Sequence, residues 1–307
     1  MGSVLTLCRP ALRASLGGLI ALTLATSTAS AQEAPQSLAE LLRINDDTYA
    51  FRSGGYVSMF ITTDSGVVVV DPIGGGQNAG NPAALKAAIA SVISEPVRYM
   101  IYSHAAQDHG TGGVVFADTA EFVAHSNAVT ALTERNDPRT PVPTITFDDQ
   151  FDLDIGGKTV ELDWAAASLG DDYLTVRYRN VLMIVDNMRV KQLPFGDLGG
   201  QPDRYVDLIE RVEADPGWEW FIYGHAVGRE ALGTRDDMRE HREYVRDLEA
   251  AVRSARAAGL ADNSDGMVTA VLTTLEPRYG AWSAFNPQRM AQNVSGMVRF
   301  LAGQLGQ

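Results

Sequence analysis

Ser103-His104-Ala105-Ala106-Gln107-Asp108-His109-Gly110 follows the apolar run 97–102 and precedes Gly112-Gly113. The run reads as a short buried strand that delivers two imidazoles and a carboxylate into a turn. Histidine and aspartate are ligands for a borderline cation such as zinc. Adjacent Asp108 and His109 can face one point only from an irregular loop, because regular elements send neighbouring side chains apart. The glycines let that loop bend without a Cβ penalty.

Upstream, residues 48–51, 56–62 and 67–70 have the composition of short strands, with Asp64-Ser65-Gly66 as the turn of a hairpin. The hairpin closes on Asp71-Pro72-Ile73-Gly74-Gly75-Gly76, which lacks the spacing of a nucleotide-binding glycine loop and reads as a loop near the pocket. A helix is expected next, with Asn81 as its cap, Pro82 at its first position, and Leu85, Ile89, Val92 and Ile93 on one face. Strand, helix and strand thus form a crossover of the kind that covers one face of a sheet.

Downstream, residues 122–125 form a short strand with His125 at its end, read as structural. Residues 135–144 are rich in Pro, Arg and Thr and read as surface loop. A second hairpin follows at 151–155 and 158–163, turning on Gly156-Gly157. After the strand 174–178, the wholly apolar strand 181–185 ends in Asp186, a carboxylate that is costly there unless something positive meets it. An amphipathic helix at 203–214 and a strand at 218–223 lead to Gly224-His225. Beyond Thr234, a cap with Asp237 three residues on, runs a long helix with His241 on its apolar stripe, expected half-buried. The rest is helical, with Tyr279, Trp282 and Phe285 read as core. The strand-strand-helix-strand series recurs in two halves, which predicts two sheets packed face to face and covered by helices.

The 307 residues allow one or two domains, and 45% hydrophobic with 21% charged residues excludes a disordered chain. Arg9 and Arg13 precede a short apolar run, and Ala29-Ser30-Ala31 gives the small-residue pattern of a cleavage site. Residues 1–31 are therefore expected to be a signal peptide, with periplasmic or secreted localisation after cleavage near Ala31 and no membrane span. The sole cysteine, Cys8, lies within that leader, so the mature chain is expected to have neither disulfide nor thiolate ligand. A formal charge of −13 repels phosphate backbones and argues against nucleic acid as a partner. A small-molecule substrate fits, with local positive charge in its pocket still compatible. Oligomeric state stays open, and no cluster of arginines stands out along the chain.

The segment at 103–110 resembles the metal-binding loop of the metallo-β-lactamase superfamily, whose pattern is His-x-His-x-Asp-His. Ala106 stands where the second histidine belongs. The resemblance implies an α/β fold, a four-layer αββα sandwich with a C-terminal helical extension. It divides the chain into a domain at 32–230 and helices at 231–307 packed on it. It makes Asp71 a structural or supporting residue, Asp186 the shared metal-bridging aspartate, and His225 the last ligand histidine. A further ligand histidine is missing from Ala165-Ala166-Ala167-Ser168-Leu169, where Ser168 or Leu169 is the counterpart. The superfamily's first metal position thus keeps only His104 and Asp186 and is degenerate. The second keeps Asp108, His109, Asp186 and His225.

One ion is expected, zinc first, with iron or manganese compatible. Asp108 and His104 are the catalytic candidates, and His104 is either a base for water or a packing residue. The function implied is an exported metal-dependent hydrolase of an ester, lactone, amide, or phosphate or sulfate ester. The alternative is an inactive relative that binds a ligand or partner.

Overall fold

The computed structural model describes residues 39–77, 79–225 and 231–304. The leader expected at 1–31 and the boundary expected at 230 lie outside the described residues. No described helix is long and apolar enough to cross a membrane.

The first sheet runs in chain order: β1 (Glu40–Arg43), β2 (Thr48–Ser53), β3 (Tyr56–Thr63), β4 (Gly66–Val70), β5 (Val97–Ile101), β6 (Glu121–His125) and β7 (Ile145–Phe147). Its first four strands are antiparallel; from β4 onward neighbours are parallel. The helix α1 (Pro82–Val92) makes the crossover from β4 to β5, and the Asn81 side chain accepts from the Ala84 amide as the expected cap. The single turn α2 (Gln107–Gly110) follows β5, and α3 (Ser126–Arg135) follows β6. Helix α3 was not expected; its buried face is only Ala128 and Leu132, too thin a stripe to stand out. His125 caps it, accepting from the Asn127 amide through Nδ1, while its Nε2 reaches the Asp148 carbonyl at 2.8 Å. Its role is structural.

The second sheet is built from β8 (Gln150–Ile155), β9 (Lys158–Trp164), β10 (Leu174–Tyr178), β11 (Val181–Ile184), β12 (Trp220–Ile222) and β13 (Leu232–Thr234), in spatial order β13-β12-β11-β10-β9-β8. Only β11 and β12 are parallel, and α4 (Pro202–Ala214) connects them. The helices α5 (Arg235–Ala257), α6 (Asp265–Tyr279) and α7 (Pro287–Gln304) complete the chain as its helical extension.

Period-two alternation explains the layers. On β3 and β4, Val57, Met59, Ile61, Val68 and Val70 join Leu162, Val176 and Met183 of the second sheet in one core. The alternate residues Tyr56, Phe60, Val67 and Val69 pack with Leu85 and Ile89 of α1 on the opposite face. Both faces of the first sheet are therefore covered, as its near-continuous apolar strands require. The α4 residues Tyr205, Leu208 and Ile209 and the α5 residues Met238, Val245 and Leu248 extend the first core beyond the second sheet. Helix–sheet–sheet–helix is the resulting order of layers.

Helix α5 begins with a capping box, in which Thr234 and Asp237 satisfy each other's backbone amides. His241 on its stripe is fully buried, not half-buried; its Nε2 lies 2.6 Å from the Tyr205 hydroxyl and its ring stacks on Trp282. Burial, with the Arg189 charge nearby, pushes its pKa down to about 4. A histidine depressed below its unfolded value of about 6.5 stabilises the fold fully above that pH and loses the contribution as pH falls through 4. Wild-type stability should drop by about 3 kcal/mol between pH 7 and pH 4 from this residue alone. Chemical denaturation of His241→Gln at the two pH values should show a smaller drop, and an equal one would refute the assignment.

Candidate metal centre

Two of the parallel strand pairs, β4 with β5 and β11 with β12, end in the same way, and the site lies where those ends meet. Strand β4 runs into Asp71 (φ 61°), whose amide donates to the Ile101 carbonyl; β11 leads to Asp186 (φ 63°), whose amide donates to the Tyr223 carbonyl. Aspartate tolerates this left-handed conformation better than most residues, so each turn can aim a carboxylate across the adjoining strand end. The histidines follow the partner strands: His104 and His109 after β5, His225 after β12. Ligands at the carboxyl ends of parallel strands follow the general rule for such sheets.

His109 sits at the centre, with no exposed surface. The loop that carries it is one helical turn, closed by the Gly110 amide donating to the Ala106 carbonyl, where an irregular loop was expected. The His109 Nε2 lies 3.1 Å from His225 Nε2, 3.7 Å from Asp186 Oδ1 and 3.8 Å from Asp108 Oδ2. His225 Nε2 in turn lies 2.7 Å from Asp186 Oδ1 and 3.7 Å from Asp108 Oδ2. A tetrahedral zinc site with bonds of about 2.1 Å has ligand–ligand edges of about 3.4 Å, the middle of this range. Among the described residues, the groups that could hold a metal ion are two triads sharing His109, one with Asp186 and His225, the other with His104 and Asp108. Two imidazoles with carboxylates suit zinc, iron or manganese.

The tautomers are fixed from behind. Asp71, fully buried, accepts from the Ser103 amide at 2.8 Å and the Ser103 hydroxyl at 2.6 Å, and its Oδ2 faces His109 Nδ1 at 3.3 Å. A carboxylate on Nδ1 keeps the proton there and turns the Nε2 lone pair toward His225. The Ser103 hydroxyl has spent its only proton on Asp71, so His104 Nδ1, 2.9 Å away, must donate to it. That leaves the buried His104 Nε2 lone pair 3.4 Å from Asp186 Oδ2. Lone pairs facing a carboxylate and one another repel unless a cation or proton lies between them.

The electrostatics express the same conflict. Burial drives the His109 pKa down, but Asp186 and Asp71 outweigh it and lift it to about 10. Burial pushes Asp186 up, yet His109 and His225 hold it well below the usual carboxylate range. Burial and the charge on His109 push His104 down, and burial does the same to His225. One proton thus serves the cluster, and ligation by imidazole displaces such a proton.

Close approach fixes two glycines. A side chain at Gly224 (φ 81°) would meet Val185 Cγ1 at 2.7 Å and His109 Cε1 at 3.0 Å; one at Gly76 would meet the Tyr56 hydroxyl at 2.7 Å and Asp108 Cβ at 2.8 Å. The glycine run after Asp71 therefore packs directly on the Asp108 turn.

Three residues of the site escaped the sequence reading. Tyr173 stacks on His104, with ring centroids 4.0 Å apart, and its hydroxyl donates to Asp186 Oδ2 at 3.3 Å. Tyr56 packs its ring 4.7 Å from His225 and 5.3 Å from His109. Arg189, buried, reaches Asp186 Oδ1 at 3.4 Å. Tyr56 reads as an ordinary strand aromatic, Tyr173 lies just before the strand expected at 174–178, and nothing along the chain ties Arg189 to the cluster. Ser168 is buried with its hydroxyl 3.5 Å from Asn187 Oδ1, and Ala106 offers no donor.

No family model matches the sequence, and no curated protein matches it. Solved structures do match its fold. A metallo-beta-lactamase from Pontibacter korlensis is similar with a TM-score of 0.55 at 16% identity, over 67% of this chain and 98% of that one. The stereoselective inverting sec-alkylsulfatase Pisa1 from Pseudomonas sp. is similar with a TM-score of 0.59 at 15% identity, over 87% of this chain. The chain spans 50% of the length of that alkylsulfatase.

Proposed function

We propose, starting from the metallo-β-lactamase fold of this chain, that it is an exported metal-dependent hydrolase working with one cation at Asp108, His109, Asp186 and His225. The observation that carries the reading is the meeting of His109 Nε2, His225 Nε2 and Asp186 Oδ1, with contacts of 3.1 and 2.7 Å, where two parallel strand pairs end. A cation bound there, zinc by preference, supplies Lewis acidity and lowers the pKa of water for attack on an ester, lactone, amide, or phosphate or sulfate ester. Export rests on the leader expected at residues 1–31, and the division into a 32–230 domain with helices at 231–307 belongs to the same reading.

The chain's own residues have distinct tasks. Asp71 holds His109 in the tautomer that presents Nε2. Tyr173 donates to Asp186 Oδ2 and so leaves Oδ1 to face His109 and His225. Asp108, whose side chain is 30% exposed, is the most open of the four and is placed to accept a proton from water. His104, stacked under Tyr173, is the buried candidate for that role.

A second reading is favoured by Ala106 and by Ser168 or Leu169: with those imidazoles gone, the chain binds a ligand or partner through the same pocket without turnover. Metal analysis of the purified full chain separates the two. About one equivalent per chain is expected. Two would refute the single-cation assignment, and none would favour the silent binder. His104→Ala should keep the metal and shift the pH profile of turnover; an unchanged profile removes its role as a base.

A further inference from the structure

We infer that Arg189 and Arg289, gathered around Phe195, form a binding subsite for the anionic oxygen group of the substrate, a sulfate, phosphate or carboxylate. Calling that anion a substrate rests on the hydrolase reading; the subsite itself does not.

The two guanidiniums come from positions a hundred residues apart and share one ring. The Arg289 guanidinium lies 4.7 Å from the Phe195 centroid and that of Arg189 lies 5.6 Å from it. Phe195 is 52% exposed, a large apolar side chain left at the surface. The Arg189 side chain is 92% buried, and its Nε has no hydrogen-bond partner among the described residues. Its nearest acid is Asp186 at 3.4 Å, and that oxygen is already 2.7 Å from His225. Arg289 makes no ion pair among the described residues; burial and the Arg189 charge together push its pKa down. Asp186 compensates one of these two like charges, and the second is costly to keep beside it unless a further anion joins them. Planar guanidinium forks match carboxylate, sulfate and phosphate oxygens.

The arrangement is rigid, which a subsite needs. Asn293, fully buried one turn after Arg289, donates to the carbonyls of Pro194 at 3.1 Å and Gly196 at 2.7 Å, bracketing Phe195. The Asn293 Oδ1 accepts from Tyr244 of α5 at 2.8 Å. A side chain at Gly296, one further turn along, would meet the Asp197 carbonyl at 2.3 Å, so α7 and this loop touch backbone to backbone. The helical extension thus builds one wall of the site. The chain as a whole carries a charge of −13, which makes the Arg289 guanidinium, without an acidic partner among the described residues, more telling.

The test is calorimetric titration of the chelator-treated full chain with inorganic sulfate, inorganic phosphate and acetate, so that no cation can act as the anion receptor. Saturable binding of at least one anion at one site is expected, weakened about tenfold or more in Arg289→Gln. Arg289→Lys, which keeps the charge, should bind more tightly than Arg289→Gln. Absence of saturable binding in the wild type, wild-type affinity in Arg289→Gln, or equal binding by the two variants would overturn the subsite. Metal content is measured separately: a chain that takes up sulfate but no metal fails the hydrolase reading and keeps this one.

Discussion

Asp186→Ala should leave the purified chain without bound metal and without measurable hydrolysis. Asp186 is the residue on which the cluster converges: His225 at 2.7 Å, His104 at 3.4 Å, His109 at 3.7 Å, Tyr173 at 3.3 Å and Arg189 at 3.4 Å. Removing the carboxylate deletes a proposed ligand and also leaves a buried guanidinium uncompensated, which costs about 3–5 kcal/mol of stability. Asp186→Asn keeps the shape and separates the two effects: it should fold with less loss and still fail to retain metal. Metal analysis and denaturation of both variants decide the matter. A full equivalent of metal in Asp186→Ala would mean that the cation sits elsewhere.

The second large effect is expected at a residue outside the proposed ligand set. Asp71→Ala removes the acceptor for the Ser103 amide and hydroxyl and the group facing His109 Nδ1, all within the fully buried interior. A buried amide and hydroxyl left unpaired cost about 1–3 kcal/mol each, so a loss of about 3 kcal/mol is expected. Freed from Asp71, the His109 ring can turn or take the other tautomer, and metal affinity should fall about 10- to 100-fold. Asp71→Asn keeps an acceptor for Ser103 and should recover much of the stability without the affinity. Competition with a chromophoric chelator measures the second quantity; wild-type affinity in both variants would show that Asp71 serves the fold alone.

Burial explains which elements were legible along the chain. The strands at 48–53, 56–63 and 66–70 and the helix at 82–92 were readable because each buries a periodic apolar face between two layers. The edge strand Glu40–Arg43 is mostly exposed, and β7 and β13 span three residues each, so no period could develop. The Asp108-His109 stretch was conspicuous because a carboxylate and imidazoles at the end of an apolar strand are chemically out of place. Asp186 stood out for the same reason.

The sequence by itself determined the layered α/β architecture and the residue types from which a metal site could be made, because periodicity and local chemistry are properties of neighbours along the chain. Only the tertiary structure decided that Asp71 and Ser103 lock His104 and His109, that Tyr173 stacks on His104, and that Arg189 and Arg289 share Phe195. Those relations join residues up to a hundred positions apart through the closing of two sheets and the docking of α7, and chain order carries no record of them.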